Sequence, residues 1–147
     1  MKQTALNVDE KTRALGACGV LAGVPSEELG LLAEMMHTEH FDAGEILFEH
    51  GDASDRIYVV VAGTLAVLLP GAREVVRTLG PGELLGEYGM FTGLVRTATV
   101  RADTESVVLS LDYRRFGAFL LQHPRSTLAL LATAVERLSE SERRGRT

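Results

Sequence analysis

Between Phe41 and Asp112 the chain is cut into short β-branched and aliphatic runs by turn residues at close intervals, and this punctuation limits the fold more than any other feature. The runs are Ile46–Phe48, Ile57–Ala62, Leu65–Leu69, Val75–Leu79, Ala98–Arg101 and Val107–Leu111. The interruptions are Ala43-Gly44, Gly51-Asp52, Ala62-Gly63, Pro70-Gly71, Pro81-Gly82 and Ala102-Asp103. Glycine takes positive φ without strain and proline cannot continue a ladder, so such pairs close one strand and turn the chain into the next. Many short strands at close spacing predict a roll or a barrel-like sandwich.

Helical patterning flanks this region. Residues 1–10 are polar and predict a loose terminus. Lys11–Leu21 has apolar spacing that predicts a short helix. Ser26 reads as the N-cap of a second helix, with Glu27 and Glu28 on its positive first turn. Leu29, Leu31, Leu32, Met35 and Met36 form its expected buried stripe. After the roll, Asp112 caps a helix over Tyr113–Leu121 that His123-Pro124 ends. Pro124 starts a last helix to about Glu142, whose apolar face holds Leu128, Leu131, Ala134, Val135 and Leu138. The reading is one domain over 1–147: N-terminal helices in 11–38, a β-roll in 41–112 and C-terminal helices in 113–142.

Bulk properties narrow the function. The chain of 147 residues is long enough to bury one core without disulfides. Its single cysteine, Cys18, cannot form an internal disulfide, which fits a reducing compartment. No apolar run reaches a membrane-spanning length and no signal peptide is recognisable, so a cytoplasmic location is expected. The formal net charge of −5 opposes non-specific nucleic-acid binding. Arg143, Arg144 and Arg146 sit at a helix end and read as a solvated terminus.

The segment Gly86–Val100, GEYGMFTGLVRTATV, carries the ligand chemistry. Arg96 supplies a fixed charge and a planar fork of donors for a phosphate. Glu87 offers a carboxylate that accepts hydrogen bonds from a sugar hydroxyl. Gly86 and Gly89 allow backbone N–H groups to approach an anion, and a turn starting at Tyr88 points its N-terminus at the same place. A ligand anionic at one end and rich in hydroxyls at the other, such as a cyclic nucleotide, has the matching polarity.

At these residues the chain resembles the cyclic nucleotide-binding domain family, which includes the bacterial catabolite activator protein, regulatory parts of cyclic-nucleotide-dependent kinases and cyclic-nucleotide-gated channels. Gly-Glu, a short hydrophobic turn and Arg-Thr-Ala-Thr-Val resemble its phosphate-binding cassette. FDAGEILFEHGDASDRIYVVVAGTLAV (Phe41–Val67) resembles its first roll signature, and LGPGELLGE (Leu79–Glu87) its approach to the cassette. The similarity covers about Leu21 to Leu138. It implies an α+β fold: a double-stranded β-helix, or jelly-roll-like β-roll, flanked by N-terminal helices and two C-terminal helices.

The resemblance implies that Arg96 pairs with the cyclic phosphate and that Glu87 holds the ribose 2′-OH. It places Gly86, Tyr88, Gly89, Thr97 and Ala98 around the same ligand. Thr97 and Arg77 resemble guanine-reading positions of cyclic-GMP-dependent kinases, which tilts the expected ligand towards cGMP, against a background expectation of cAMP. Val76, Leu84, Leu85 and Val60 are candidates for the apolar wall. Val95 stands where proline often precedes the arginine, and Leu85 where an aromatic is common. The implied function is a stand-alone sensor of cAMP or cGMP that moves its C-terminal helix towards an effector protein or a dimer mate. Met90 and Phe91 would shift against that helix.

Other chemistries find little support. His37 and His40 are spaced like a helical metal pair but lack a third ligand. Asp52 and Asp55 fit turn hydrogen bonding, and their spacing is not that of a calcium loop. Ser54, Ser106 and Ser110 lack a nucleophile-elbow setting. A cupin-type enzyme would need histidines on strands, and none is expected there. A transcription factor would need a helix-turn-helix, which the chain does not contain. The remaining alternative is a module that keeps the fold for protein interaction without a ligand; Glu87 and Arg96 argue against it, since neither helps the core.

Overall fold

The structure is a computed structural model that describes residues 5–71, 74–87, 90 and 95–145; of Arg137 and residues 141–145 only the backbone is considered. Helix α1 (Val8–Gly16) begins at Asn7, whose side chain accepts from the Glu10 N–H while the Glu10 carboxylate accepts from the Asn7 N–H. This reciprocal cap starts the helix three residues before the expected Lys11. A 3-10 turn follows at Gly19–Leu21, then α2 (Ser26–Met35). The N-cap of α2 is Pro25, and Ser26 is its first helical residue with no side-chain cap bond. Glu27 and Glu28 occupy its first turn as expected.

Among the described residues eight strands form two antiparallel four-stranded sheets. They are β1 (His37–Phe41), β2 (Ile46–Phe48), β3 (Arg56–Ala62), β4 (Leu65–Leu68), β5 (Arg77–Leu79), β6 (Leu84–Leu85), β7 (Thr99–Ala102) and β8 (Ser106–Asp112). One sheet runs β1-β8-β3-β6 and the other β2-β7-β4-β5. Then come α3 (Tyr113–Gln122), capped by the Asp112 carboxylate on the Arg115 N–H, and α4 (Pro124–Gly145). The expected roll with flanking helices is therefore present. Among the described residues no helix is long and apolar enough to cross a membrane.

Strand alternation builds two cores on the two faces of the first sheet. Ile57, Val59, Leu109 and Leu111 face the helices and pack with Leu15, Leu32, Met36, Phe116 and Phe119. Tyr58, Val60 and Val108 face the second sheet and pack with Leu65, Leu79, Leu85, Val100 and Ala102. A strand buried on both faces reads as a continuous apolar run, which is why Ile57–Ala62 was legible. Gly63 has φ +88°, and a Cβ there would lie 2.5 Å from the Glu105 carbonyl oxygen, so this turn admits only glycine.

Several expectations are corrected. The roll starts at His37, because β1 pairs with β8 from His37↔Ser110 to Phe41↔Ser106. This pairing overrides the weak strand propensity of His-Thr-Glu-His. His37 and His40 thus lie on a strand, where a separation of three sends their side chains to opposite faces. Among the described residues no group of three or more His, Cys, Asp or Glu could hold a metal. Val75 and Val76 precede β5, Leu69 follows β4, and Ala98 precedes β7. The short strand β6 was not expected; two residues give no period to detect. Leu31 is exposed on α2. The apolar face read for α4 is exposed: Leu128, Leu131, Val135 and Leu138 are all more than half exposed.

Leu109 lies wholly inside the core between β8 and the helices. Leu109→Ala is expected to cost about 2–5 kcal/mol, read as a lower urea midpoint at unchanged slope.

Candidate functional site

A cavity of about 420 Å³ opens beside the second sheet and the loops before β3 and β7. Its size suits a small ligand. Val67, Leu79, Leu85 and Val100 make its wall apolar, while Glu87, Arg96 and Thr97 make one side polar.

Arg96 is 5% exposed, a rare degree of burial for a guanidinium. Its backbone is pinned to the loop between β2 and β3: the Arg96 N–H donates to the Asp52 carbonyl at 2.8 Å, and the Gly51 N–H donates to the Arg96 carbonyl at 2.9 Å. Nη2 donates to the Arg56 carbonyl at 2.9 Å and Nη1 to the Gly86 carbonyl at 3.5 Å. The nearest acid is Asp55, with Oδ1 3.9 Å from Nη2 and a side chain 64% exposed. A pair so exposed on one side contributes little. Nε is buried and finds no hydrogen-bond partner among the described residues. On its other side the guanidinium Cζ sits 4.1 Å from the centroid of the Phe48 ring.

Glu87 presents the complementary defect. Glu87 lines the same cavity, and its buried Oε2 also lacks a hydrogen-bond partner among the described residues. Buried polar atoms without hydrogen bonds are costly, so two lining residues that carry one such donor and one such acceptor favour a ligand with the opposite groups. The other two unpaired buried side-chain atoms in the described residues, Glu39 Oε2 and Ser110 Oγ, do not line this cavity.

Gly86 links these side chains. It has φ +90°, and a Cβ there would lie 2.6 Å from the Arg56 carbonyl oxygen and 2.8 Å from Arg96 Nη1. Its carbonyl also accepts from the Tyr113 hydroxyl, which in turn bonds to the Ser54 hydroxyl on the cavity wall. Tyr113 is the first residue of α3, so one carbonyl joins the arginine to the C-terminal helices. Met90 packs into the same helix-facing core, with its methyl 3.4 Å from where a Gly117 Cβ would be. Burial pushes the Tyr58 phenol above its ordinary range, with the Glu39 carboxylate adding to the shift.

The structure brings most of the sequence candidates together. Gly86, Glu87, Arg96, Thr97 and Ala98 line the cavity, as do Arg77, Leu84 and Leu85. Arg77 pairs directly across from Val67, which fixes the face that alternation alone left open. Its Nη2 donates to Glu83 Oε1 at 3.3 Å. Val76 is excluded: it is 51% exposed and lies outside the cavity. Val60 is in the inner core instead. Tyr88, Gly89 and Phe91 fall outside the described residues. Phe48, Ser54, Val67 and Val100 line the cavity but were missed. Only the register, with Val67 opposite Val100, reveals the two valines.

Comparison with known proteins agrees with this geometry. The family model described as the cyclic nucleotide-binding domain matches residues 38–123. The N-terminal domain of a transcriptional regulator from Streptomyces coelicolor is 31% identical, with a TM-score of 0.77 over 87% of this chain and 94% of that one. A CRP-like cAMP-activated global transcriptional regulator of Mycobacterium tuberculosis is 26% identical over 127 residues, 84% of this chain and 57% of that protein. An ABC transporter ATP-binding protein of the same organism is 39% identical over 82 residues, 54% of this chain and 25% of that protein. The chain thus spans between a quarter and just over half of these curated relatives.

Gly86→Ala forces a methyl against the Arg56 carbonyl at a positive φ. A loss of more than about 1 kcal/mol in unfolding free energy is expected from chemical denaturation.

Proposed function

We propose that this chain, which belongs to the cyclic nucleotide-binding domain family, senses a cyclic mononucleotide and answers it by moving its C-terminal helices. The observation that carries the reading is that Arg96 and Glu87 line one cavity and that each holds a buried atom, a cationic N–H and a carboxylate oxygen, with no hydrogen-bond partner among the described residues. A cyclic phosphate satisfies the first and a ribose 2′-OH the second. The base then lies against the apolar wall, where Val67, Leu79, Leu85 and Val100 exclude water. Gly86, Thr97 and Ala98 supply the close backbone at the phosphate end, and Leu84 extends the wall.

The ligand we favour is cAMP. The M. tuberculosis relative is described as cAMP-activated, and Arg77 already spends a donor on Glu83. The cGMP reading keeps one observation, since Arg77 stands on the cavity wall where a guanine carbonyl would accept from it.

The signal route starts at Gly86. A phosphate that draws Arg96 Nη1 away leaves the Gly86 carbonyl to Tyr113 alone, which couples the cavity to the first turn of α3. The beginning of α4 is anchored: buried Ser126 donates to Glu28 Oε1 at 2.7 Å, and Ala129 packs where Gly23 has no side chain. Beyond it, Leu128, Leu131, Val135 and Leu138 repeat at spacings of three and four on an exposed seam. That seam is the surface we assign to a dimer mate or an effector.

Two outcomes test this. In isothermal titration the parent binds cAMP, and Arg96→Ala weakens it by about 2–5 kcal/mol, whereas Arg77→Ala lowers affinity for cGMP alone if guanine is read. In analytical ultracentrifugation the parent self-associates, and the double change Leu131→Glu with Val135→Glu leaves a monomer that still binds cAMP.

A further inference from the structure

The resemblance gives Phe48 no ligand role, yet among the described residues it makes the nearest aromatic contact to Arg96. Its ring lies 4.1 Å from the guanidinium carbon, and its other neighbour is the Tyr58 ring, 5.9 Å away at an interplanar angle of 28°. Tyr58 is itself 6% exposed and part of the inner core. The guanidinium carbon also lies 5.9 Å from the Tyr58 ring centroid, so the cation and the two rings form a triangle in which Phe48 is the nearer face. Tyr58 fixes one corner in the sandwich, and strand pairing with Val100 fixes Phe48.

We infer that Phe48 is a positioning residue for Arg96, an aromatic platform that holds the buried guanidinium in place for an anionic ligand oxygen. The inference deepens the cyclic-nucleotide reading and rests on it for the identity of that ligand. The physical need is specific. Among the described residues, two carbonyls and an exposed, distant Asp55 are the acceptors within reach of a cation that has left water. A ring face attracts the cation electrostatically without presenting a lone pair that the phosphate must displace. A carboxylate in the same place would satisfy the arginine and compete with the ligand. With a small aliphatic residue instead, the guanidinium is free to turn towards Asp55 and solvent, and each binding event must reorder it. The ring keeps the charge both fixed and unspent.

The test uses the full chain labelled with 15N. In the ligand-free parent the Arg96 Nε–H resonance, assigned by its loss in Arg96→Lys, is shifted by the ring current and exchanges slowly with solvent. Phe48→Leu returns it to an ordinary arginine position with faster exchange, and Phe48→Tyr restores it. For cAMP, Phe48→Leu weakens binding roughly 5- to 30-fold. The same change has no effect in the Arg96→Ala background, which has no cation for the ring to hold, and Phe48→Tyr binds like the parent. Amide dispersion and melting temperature identify any variant that fails to fold, and Phe48→Met then replaces Phe48→Leu. An Arg96 resonance unmoved by Phe48→Leu, or a Phe48→Leu protein that binds cAMP as tightly as the parent or more so, overturns the platform. A parent that binds no cyclic nucleotide overturns the sensor reading instead, and the ligand-free resonance still judges Phe48.

Discussion

The structure turns on one guanidinium ion taken almost wholly out of water without a carboxylate in hydrogen-bond contact among the described residues. Burying a charge in this way is unfavourable unless something compensates it. Among the described residues compensation is partial: two backbone carbonyls, the faces of the Phe48 and Tyr58 rings and a distant exposed acid. The roll is what makes partial compensation tolerable. Arg96 is held by backbone bonds to the loop between β2 and β3, and β3 is buried on both faces. A folded scaffold of this stability can carry a locally unfavourable site, as binding sites commonly do.

Glycine at position 86 connects the electrostatics to the backbone. Its positive φ and missing Cβ let the arginine and the Arg56 carbonyl occupy the space a side chain would take. Its carbonyl then serves both Arg96 and Tyr113. On the proposed account, the occupancy of the cavity and the position of the first turn of α3 are parts of one hydrogen-bond arrangement. The exposed apolar seam on α4 is the natural output of such a device, because an apolar seam left in water favours being covered.

Much of this was legible in the chain. The turn glycines and doubly buried strands marked the roll, and the Gly86–Val100 segment marked one side of the cavity. What escaped detection did so for physical reasons. β1 is polar and exists because β8 pairs with it, a contact between residues 67 apart for His40 and Val107 and 73 apart for His37 and Ser110. Val76 was expected in the wall because strand length was read from β-branched residues, but the ladder begins one residue later. Phe48 and Ser54 were missed because a cavity wall drawn from different strands has no local pattern; only register and loop geometry bring them to Arg96. The apolar face of α4 was read from its spacing, but its exposure was not, since helical periodicity reports an apolar stripe without naming what covers it.

A crystal structure of the chain grown with cAMP tests the central claim most directly. The account predicts a phosphate oxygen on the Arg96 guanidinium and the ribose 2′-OH on the Glu87 carboxylate, with the Phe48 ring still beneath the arginine. Nucleotide bound elsewhere, or in this cavity with Arg96 and Glu87 both unengaged, would contradict it.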